Sequence, residues 1–160
     1  EWSQPESTLA GDIVTLNRNF RNGDRIIDAV EQRFRIGYDL PPRGPISAEL
    51  LLMPYSNTDP MVDVVVRHET ELRAAGLDPV VLISGVSEQQ VAELEAAGIT
   101  VSSVDAFKGL ERRSVILVLA RDVSPIDPHD EDLYVGMTRA TVLLSLVFHT
   151  SQAPLTPHRA

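Results

Sequence analysis

The sequence predicts an α/β fold, a mainly parallel sheet covered by helices on both faces. Three observations predict it. Strand-like apolar runs alternate with helical patterns along the chain. Two of those runs, Val80-Val81-Leu82-Ile83 and Val115-Ile116-Leu117-Val118-Leu119, are apolar at every position, as strands buried on both faces are. A length of 160 residues, 43% of them hydrophobic, suffices to bury one core, and an aromatic content of 5% makes that core aliphatic.

In chain order, residues 1–11 are polar and read as a lead-in, and Ile13-Val14-Thr15-Leu16 reads as a short strand. Asn22-Gly23-Asp24 breaks the chain and can cap a helix. Ile26, Ile27, Val30 and Phe34 then recur at helical spacing through about Arg35. Tyr38 to Ser47, rich in proline and glycine, is a loop, and Glu49 to Met53 is a strand. Asp59-Pro60 reads as an N-cap carboxylate followed by proline at the first helical position. Val62, Val65, Val66, Glu69, Leu72 and Arg73 continue that helix, and Gly76 can close it. The Val64-Val65-Val66 run could argue for a strand, but the capping and the charged continuation favour helix.

Val80 to Ile83 is the next strand. Ser87-Glu88-Gln89-Gln90 matches a capping box, with Val91, Leu94 and Ala97 as the buried stripe and Gly98 as the stop. Ile99 to Val104 alternates as a strand, and Val115 to Leu119 is a buried one. Ser124 to Asp130 is a loop, Asp130 to Ala140 a short helix, and Val142 to Phe148 the last strand. From Ser151 the chain is expected to fray. One domain over residues 12–150, with the tail at 151–160, accounts for the chain, which has no internal repeat or low-complexity segment.

Composition excludes several classes. No apolar run approaches the roughly 18–20 residues that cross a bilayer. The first residues have neither the basic nor the apolar region of a secretory signal. With no cysteine there is no disulfide scaffold, thiolate metal site or thiol nucleophile. A cytoplasmic protein is the expectation. The net charge of −9 argues against a broad basic footprint, so strong nucleic-acid binding would need a local patch or a second domain. Lys108 is the single lysine.

Ligands in this fold class sit beyond the carboxyl ends of strands, which draws attention to three polar segments. Leu16-Asn17-Arg18-Asn19-Phe20-Arg21-Asn22 could turn an arginine towards a phosphate, or simply carry surface arginines. Ser103-Val104-Asp105-Ala106-Phe107-Lys108-Gly109-Leu110-Glu111 holds hydroxyl, lysine, glycine and carboxylate, or is a plain connection with a solvated lysine. In Leu133-Tyr134-Val135-Gly136-Met137-Thr138-Arg139-Ala140, Leu133, Gly136, Met137 and Ala140 can share a packed face. Arg139 then points elsewhere, outward or into an ion pair.

Taken together and in this order, the segments resemble motifs IV, V and VI of the second motor domain (2A) of UvrD/Rep-type superfamily 1 helicases. Motif IV there reads leucine, two variable residues, then Asn-Tyr-Arg-Ser. Motif V is Thr-x-His-x-x-Lys-Gly-Leu-Glu, and motif VI is Leu-Tyr-Val-x-x-Thr-Arg-Ala. Lys108 to Glu111 and Tyr134 to Ala140 are the specific matches, and the resemblance spans about residues 12–148. It implies a RecA-like (P-loop NTPase-type) three-layer sandwich working as part of an ATP-dependent DNA helicase. It also implies catalytic arginine fingers at Arg139 and Arg21, nucleotide contacts at Glu111 (ribose) and Gly109, and nucleic-acid contacts at Ser103 and Lys108.

Departures qualify the match. Asp105 stands where the pattern has histidine, and a carboxylate facing a phosphate backbone is repulsive unless it bonds a base or a side chain. Too little chain separates Asn22 from Ser103 for the large 2B insertion of Rep-type enzymes. There is no Gly-x-x-x-x-Gly-Lys-[Ser/Thr] segment and no Asp-Glu pair suited to Mg²⁺. ATP and Mg²⁺ would therefore be bound mainly by an N-terminal RecA-like domain of the same parent, single-stranded nucleic acid being the other partner. The fragment alone is expected to be inactive. The competing reading is a non-translocating nucleic-acid or protein-binding regulatory module with a helicase-derived fold. An unrelated doubly wound nucleotide-binding domain would need a glycine-rich first turn, which Asn17 to Gly23 does not supply.

Overall fold

The computed structural model describes residues 22–34, 49–120 and 131–152. The predicted strand at Ile13 to Leu16, the loop at Ser124 to Asp130, and Arg21 lie outside them. Among the described residues, five strands form one parallel sheet: β1 (Glu49–Tyr55), β2 (Val80–Ser84), β3 (Val101–Ser103), β4 (Arg112–Leu119) and β5 (Ala140–His149). Their order across the sheet is β1-β5-β4-β2-β3. The helices are α1 (Asp24–Phe34), α2 (Met61–Ala74), α3 (Glu88–Ala96) and α4 (Glu131–Met137), with a 3₁₀ turn at Asp105–Phe107. None among the described residues is long and apolar enough to cross a membrane.

Side chains alternate across a strand, so the central strands feed two cores. Leu82, Val115, Leu117, Leu119, Leu144 and Leu146 pack under α1 (Ile26, Ala29, Val30), α4 (Leu133, Met137) and the 3₁₀ turn (Phe107). Val81, Ile116, Val118, Leu143 and Val147 pack under α2 (Met61, Val64, Val65, Leu72) and α3 (Leu94). This is the predicted α/β sandwich of three layers. Phe34 meets Tyr134 edge to face, centroids 5.3 Å apart, which fixes α1 against α4.

Most boundaries follow from local chemistry. Ser87 and Gln90 form the predicted capping box. Both α2 and α3 end in the paired hydrogen bonds of a glycine-terminated C-cap. Gly76 N–H donates to Arg73 O and Leu77 N–H to Leu72 O, and Gly98 and Ile99 repeat the pattern on Glu95 and Leu94. Gly76 and Gly98 have φ of 80° and 83°, the left-handed region that glycine tolerates.

Several expectations need correction. Pro60, not Asp59, is the N-cap of α2, extended at ψ 151°, and the Asp59 carboxylate instead pairs with Arg67 at 2.9 Å. Ala97 is exposed rather than part of the buried stripe, because α3 ends at Ala96 and the reversal brings Ile99 back onto Leu94. β3 is shorter than Ile99 to Val104, since Ile99 belongs to that reversal and the 3₁₀ turn begins at Asp105. α4 stops at Met137 because β5 already starts at Ala140. β4 reaches back to Arg112, paired with Ala140. Asn22 does not cap α1: the Gly23 carbonyl accepts from Ile26 and Ile27, while the Asn22 side chain is buried elsewhere.

Candidate functional site

The segment from Ser103 to Glu111 leaves β3 at the carboxyl end of the sheet and enters β4 at the amino end. Ser103 and Val118 both pair with Ile83, so Ser103 lies six residue steps from Arg112, about 20 Å at the usual strand rise. The segment crosses the α1/α4 face, anchored there by Val104 and Phe107. Its two ends therefore present different groups at opposite edges of the sheet. The rule that ligands gather at carboxyl ends covers Ser103 but not Glu111 or Arg139.

At the carboxyl edge, the Ser103 hydroxyl accepts from Ala106 N–H at 3.1 Å and so caps the 3₁₀ turn. That turn projects Asp105 next to Lys108, whose Nζ lies 2.7 Å from Asp105 Oδ1. Hydrogen bonding to Asp105 and its negative charge push the Lys108 pKa above its ordinary value, with Glu131 and Asp132 adding to the effect. Asp105, where the motif has histidine, thus bonds a side chain.

Gly109 follows with φ 81°. A Cβ built there would meet nothing within 4 Å, so the dihedral, not crowding inside the chain, requires glycine. Among the described residues, nothing lies within contact distance on that side of the Gly109 backbone. Glu111 is exposed just before β4.

At the amino edge, α4 delivers Arg139. Leu133, Gly136, Met137 and Ala140 are buried as expected, and a Cβ on Gly136 would come within 2.8 Å of both Leu117 methyl carbons. Thr138 is buried too, its hydroxyl bonding Tyr134 O and Val135 O at 3.0 Å. Arg139 is half-buried, and its guanidinium is bonded to backbone carbonyls rather than pointing outward. Nε donates to Val135 O at 3.0 Å and Nη1 to Leu110 O at 3.1 Å, because the end of α4 and the Gly109 turn both aim carbonyls at it. Arg112 N–H donates to Arg139 O at 3.0 Å. Arg139 and Glu111, distant in sequence, therefore sit side by side as the residues preceding a paired position of β5 and β4.

Asn22, the last residue of the first motif, joins this edge. It is 1% exposed, and Nδ2 donates to Thr138 O at 3.1 Å and to Ala140 O at 2.5 Å. Nothing in its sequence neighbourhood distinguishes this buried clamp from a helix cap. Among the described residues no group of three histidine, aspartate or glutamate side chains could hold a metal ion.

No curated protein matches the chain. Among solved structures, the C-terminal domain of a possible DNA helicase from Lactobacillus plantarum WCFS1 is similar, with a TM-score of 0.61 at 20% identity, over 85% of this chain and 91% of that one. At that identity the likeness shows the fold. The model of the viral superfamily 1 RNA helicase core domain matches residues 56–148, more than half of the chain and the whole stretch from Ser103 to Ala140. On that match, the chain belongs to the viral superfamily 1 RNA helicase core domain family.

Proposed function

We propose that residues 12–150 are the C-terminal RecA-like motor domain (2A) of an ATP-dependent helicase of UvrD/Rep type, acting on single-stranded nucleic acid, DNA in the first instance, in the cytoplasm. The carrying observation is the bonding of Arg139 to the Lys108-Gly109-Leu110-Glu111 loop, which sets the arginine beside Glu111, the carboxylate we assign to the ribose. ATP with Mg²⁺, held mainly by an N-terminal RecA-like domain of the parent, supplies the phosphoryl group to be cleaved. Arg139, with Arg21, neutralises charge that grows on the phosphoryl oxygens towards the transition state. Glu111 accepts hydrogen bonds from ribose hydroxyls, and the open space over Gly109 admits the nucleotide. Ser103, at the other end of the same segment, and Lys108, at the C-cap of its 3₁₀ turn, are assigned to the strand, so nucleotide and strand are linked through one stretch of backbone.

The test is Arg139→Ala in the intact parent. Nucleic-acid-stimulated ATP turnover is expected to fall by about 10³-fold or more, the range of measured arginine fingers, while ATP affinity changes much less. Arg139→Lys should restore little, because an ammonium lacks the planar fork. Loss of the bonds to Val135 and Leu110 should also lower stability by about 1–3 kcal/mol, so turnover is measured well below the melting temperature. A variant with normal turnover and only a lower melting temperature would reject the motor reading. The second reading, a regulatory module that binds without translocating, is favoured by one observation: Asp105 takes up the charge of Lys108. It predicts binding to the partner with no dependence of turnover on Arg139. The 160-residue chain alone, lacking a phosphate loop, turns over no ATP in either reading.

A further inference from the structure

We propose that Asn22 is a positioning residue for Arg139. The proposal rests on the reading above, in which Arg139 meets an anionic group from across a cleft, and it adds a part to that site. The helix-to-strand turn carrying Arg139 has three consecutive carbonyls, and each accepts from a donor outside the turn. Asn22 Nδ2 bonds Thr138 O and Ala140 O, and Arg112 N–H bonds Arg139 O between them. A primary amide has two N–H bonds, and both are used. The backbone on either side of the Arg139 Cα therefore cannot rotate without breaking a buried hydrogen bond. With the Cα–Cβ direction fixed, the bonds from Nε to Val135 O and from Nη1 to Leu110 O set the guanidinium. Immediately beyond, the β4–β5 register shifts between Arg112 and Ser114, an irregularity of the kind that re-aims side chains next to sites.

The residue type is selective. Asn22 is 1% exposed. Aspartate would bury a carboxylate against two carbonyls, leucine would offer no donor, and serine, which the family pattern has at this position, could satisfy only one carbonyl. Reacting groups must be held within about 0.5 Å, and a 1 Å misplacement can cost on the order of 10²-fold in rate. A donor that brackets the arginine on both sides supplies that precision without touching the nucleotide.

The experiment compares Asn22→Ala and Asn22→Ser with Arg139→Ala in the intact parent, and follows the Arg139 Nε–H signal by ¹H–¹⁵N NMR in the 160-residue chain, assigned by its loss in Arg139→Lys. Asn22→Ala is expected to lower kcat about 10- to 100-fold with KM for ATP little changed. It should also shift the Nε–H signal and speed its exchange with solvent. Asn22→Ser should recover part of both, and it carries the measurement if the alanine variant does not fold. Unchanged kcat and an unmoved Nε–H signal in a variant that merely melts earlier would overturn the proposal. Full turnover in Arg139→Ala would instead reject the motor reading, and the NMR measurement would still decide whether Asn22 orients Arg139.

Discussion

Two glycines in the matching motifs are glycine for different reasons, and the difference predicts different behaviour. Gly109 needs its positive φ and has open space around it; Gly136 has ordinary helical backbone and no space. Gly136→Ala would place a methyl 2.8 Å from two carbon atoms of Leu117, which is fully buried, so its displacement must be taken up by the packed core around it. Overpacking of this kind costs about 1–3 kcal/mol, of which the better helix propensity of alanine returns up to about 1 kcal/mol. We expect Gly136→Ala to lower the unfolding free energy by about 1–2 kcal/mol in urea melts. Paired with Leu117→Ala it should be clearly less than additive, because the methyl then fills the vacated volume. Strict additivity would show that Gly136 is not held by Leu117. At this scale the sequence was partly legible. The packed face of Leu133, Gly136, Met137 and Ala140 follows from helical spacing. The clamp made by Asn22 does not, because it joins residues 116 and 118 positions apart and uses a side chain equally suited to a helix cap.

Among the elements, α2 shows how local and tertiary terms divide. Its Val64-Val65-Val66 run has strand propensity, yet Val64 and Val65 are buried against the sheet as helical neighbours. The sequence cue that carried the helix, Asp59-Pro60, located it correctly but misassigned the cap by one residue. What the sequence could not disclose is the polar bond inside the interface. His68 Nε2 lies 2.8 Å from Ser145 Oγ, both buried, joining α2 to the interior strand β5. Burial pushes the His68 pKa below its ordinary 6.5, and the nearby Glu71 carboxylate offsets only part of this. In the folded protein His68 therefore stays neutral at pH values where the unfolded chain already binds a proton. The associated stability is complete above pH 6.5 and is lost as pH falls from there towards the folded-state pKa. Melts from pH 8 to 5 should show stability declining below about pH 6.5, and His68→Gln should remove that component of the slope. A decline of the same steepness in the variant would mean that other groups are responsible.

Over the whole molecule, charge rather than fold governs what the chain can do with a nucleic acid. The three-layer architecture was legible because parallel strands buried on both faces read as continuous apolar runs, and helices between them show helical spacing. The charge layout was legible only as a total of −9. The structure adds that the lysine of the crossing segment is already tied to Asp105, with Glu131 and Asp132 raising its pKa further. Lys108, the lysine of that segment, is thus already paired before any strand arrives. Binding to single strands weakens with salt in proportion to the phosphates neutralised, with a log–log slope of about −0.7 per phosphate. The 160-residue chain should therefore bind single-stranded DNA weakly, with a slope no steeper than about −1. Asp105→Asn keeps the shape of the turn and releases the ammonium, which remains charged at neutral pH. That variant should bind more tightly at low salt and steepen the slope by about 0.7, one phosphate's worth. Lys108→Gln in the same background should cancel the gain. Titrations from 25 to about 200 mM salt, a range over which phosphate-contacting proteins lose affinity steeply, would read both effects. Submicromolar binding with a steep slope by the unchanged chain would place the strand contact on arginines instead of Lys108. An Asp105→Asn slope equal to that of the unchanged chain would remove Lys108 from the strand path altogether.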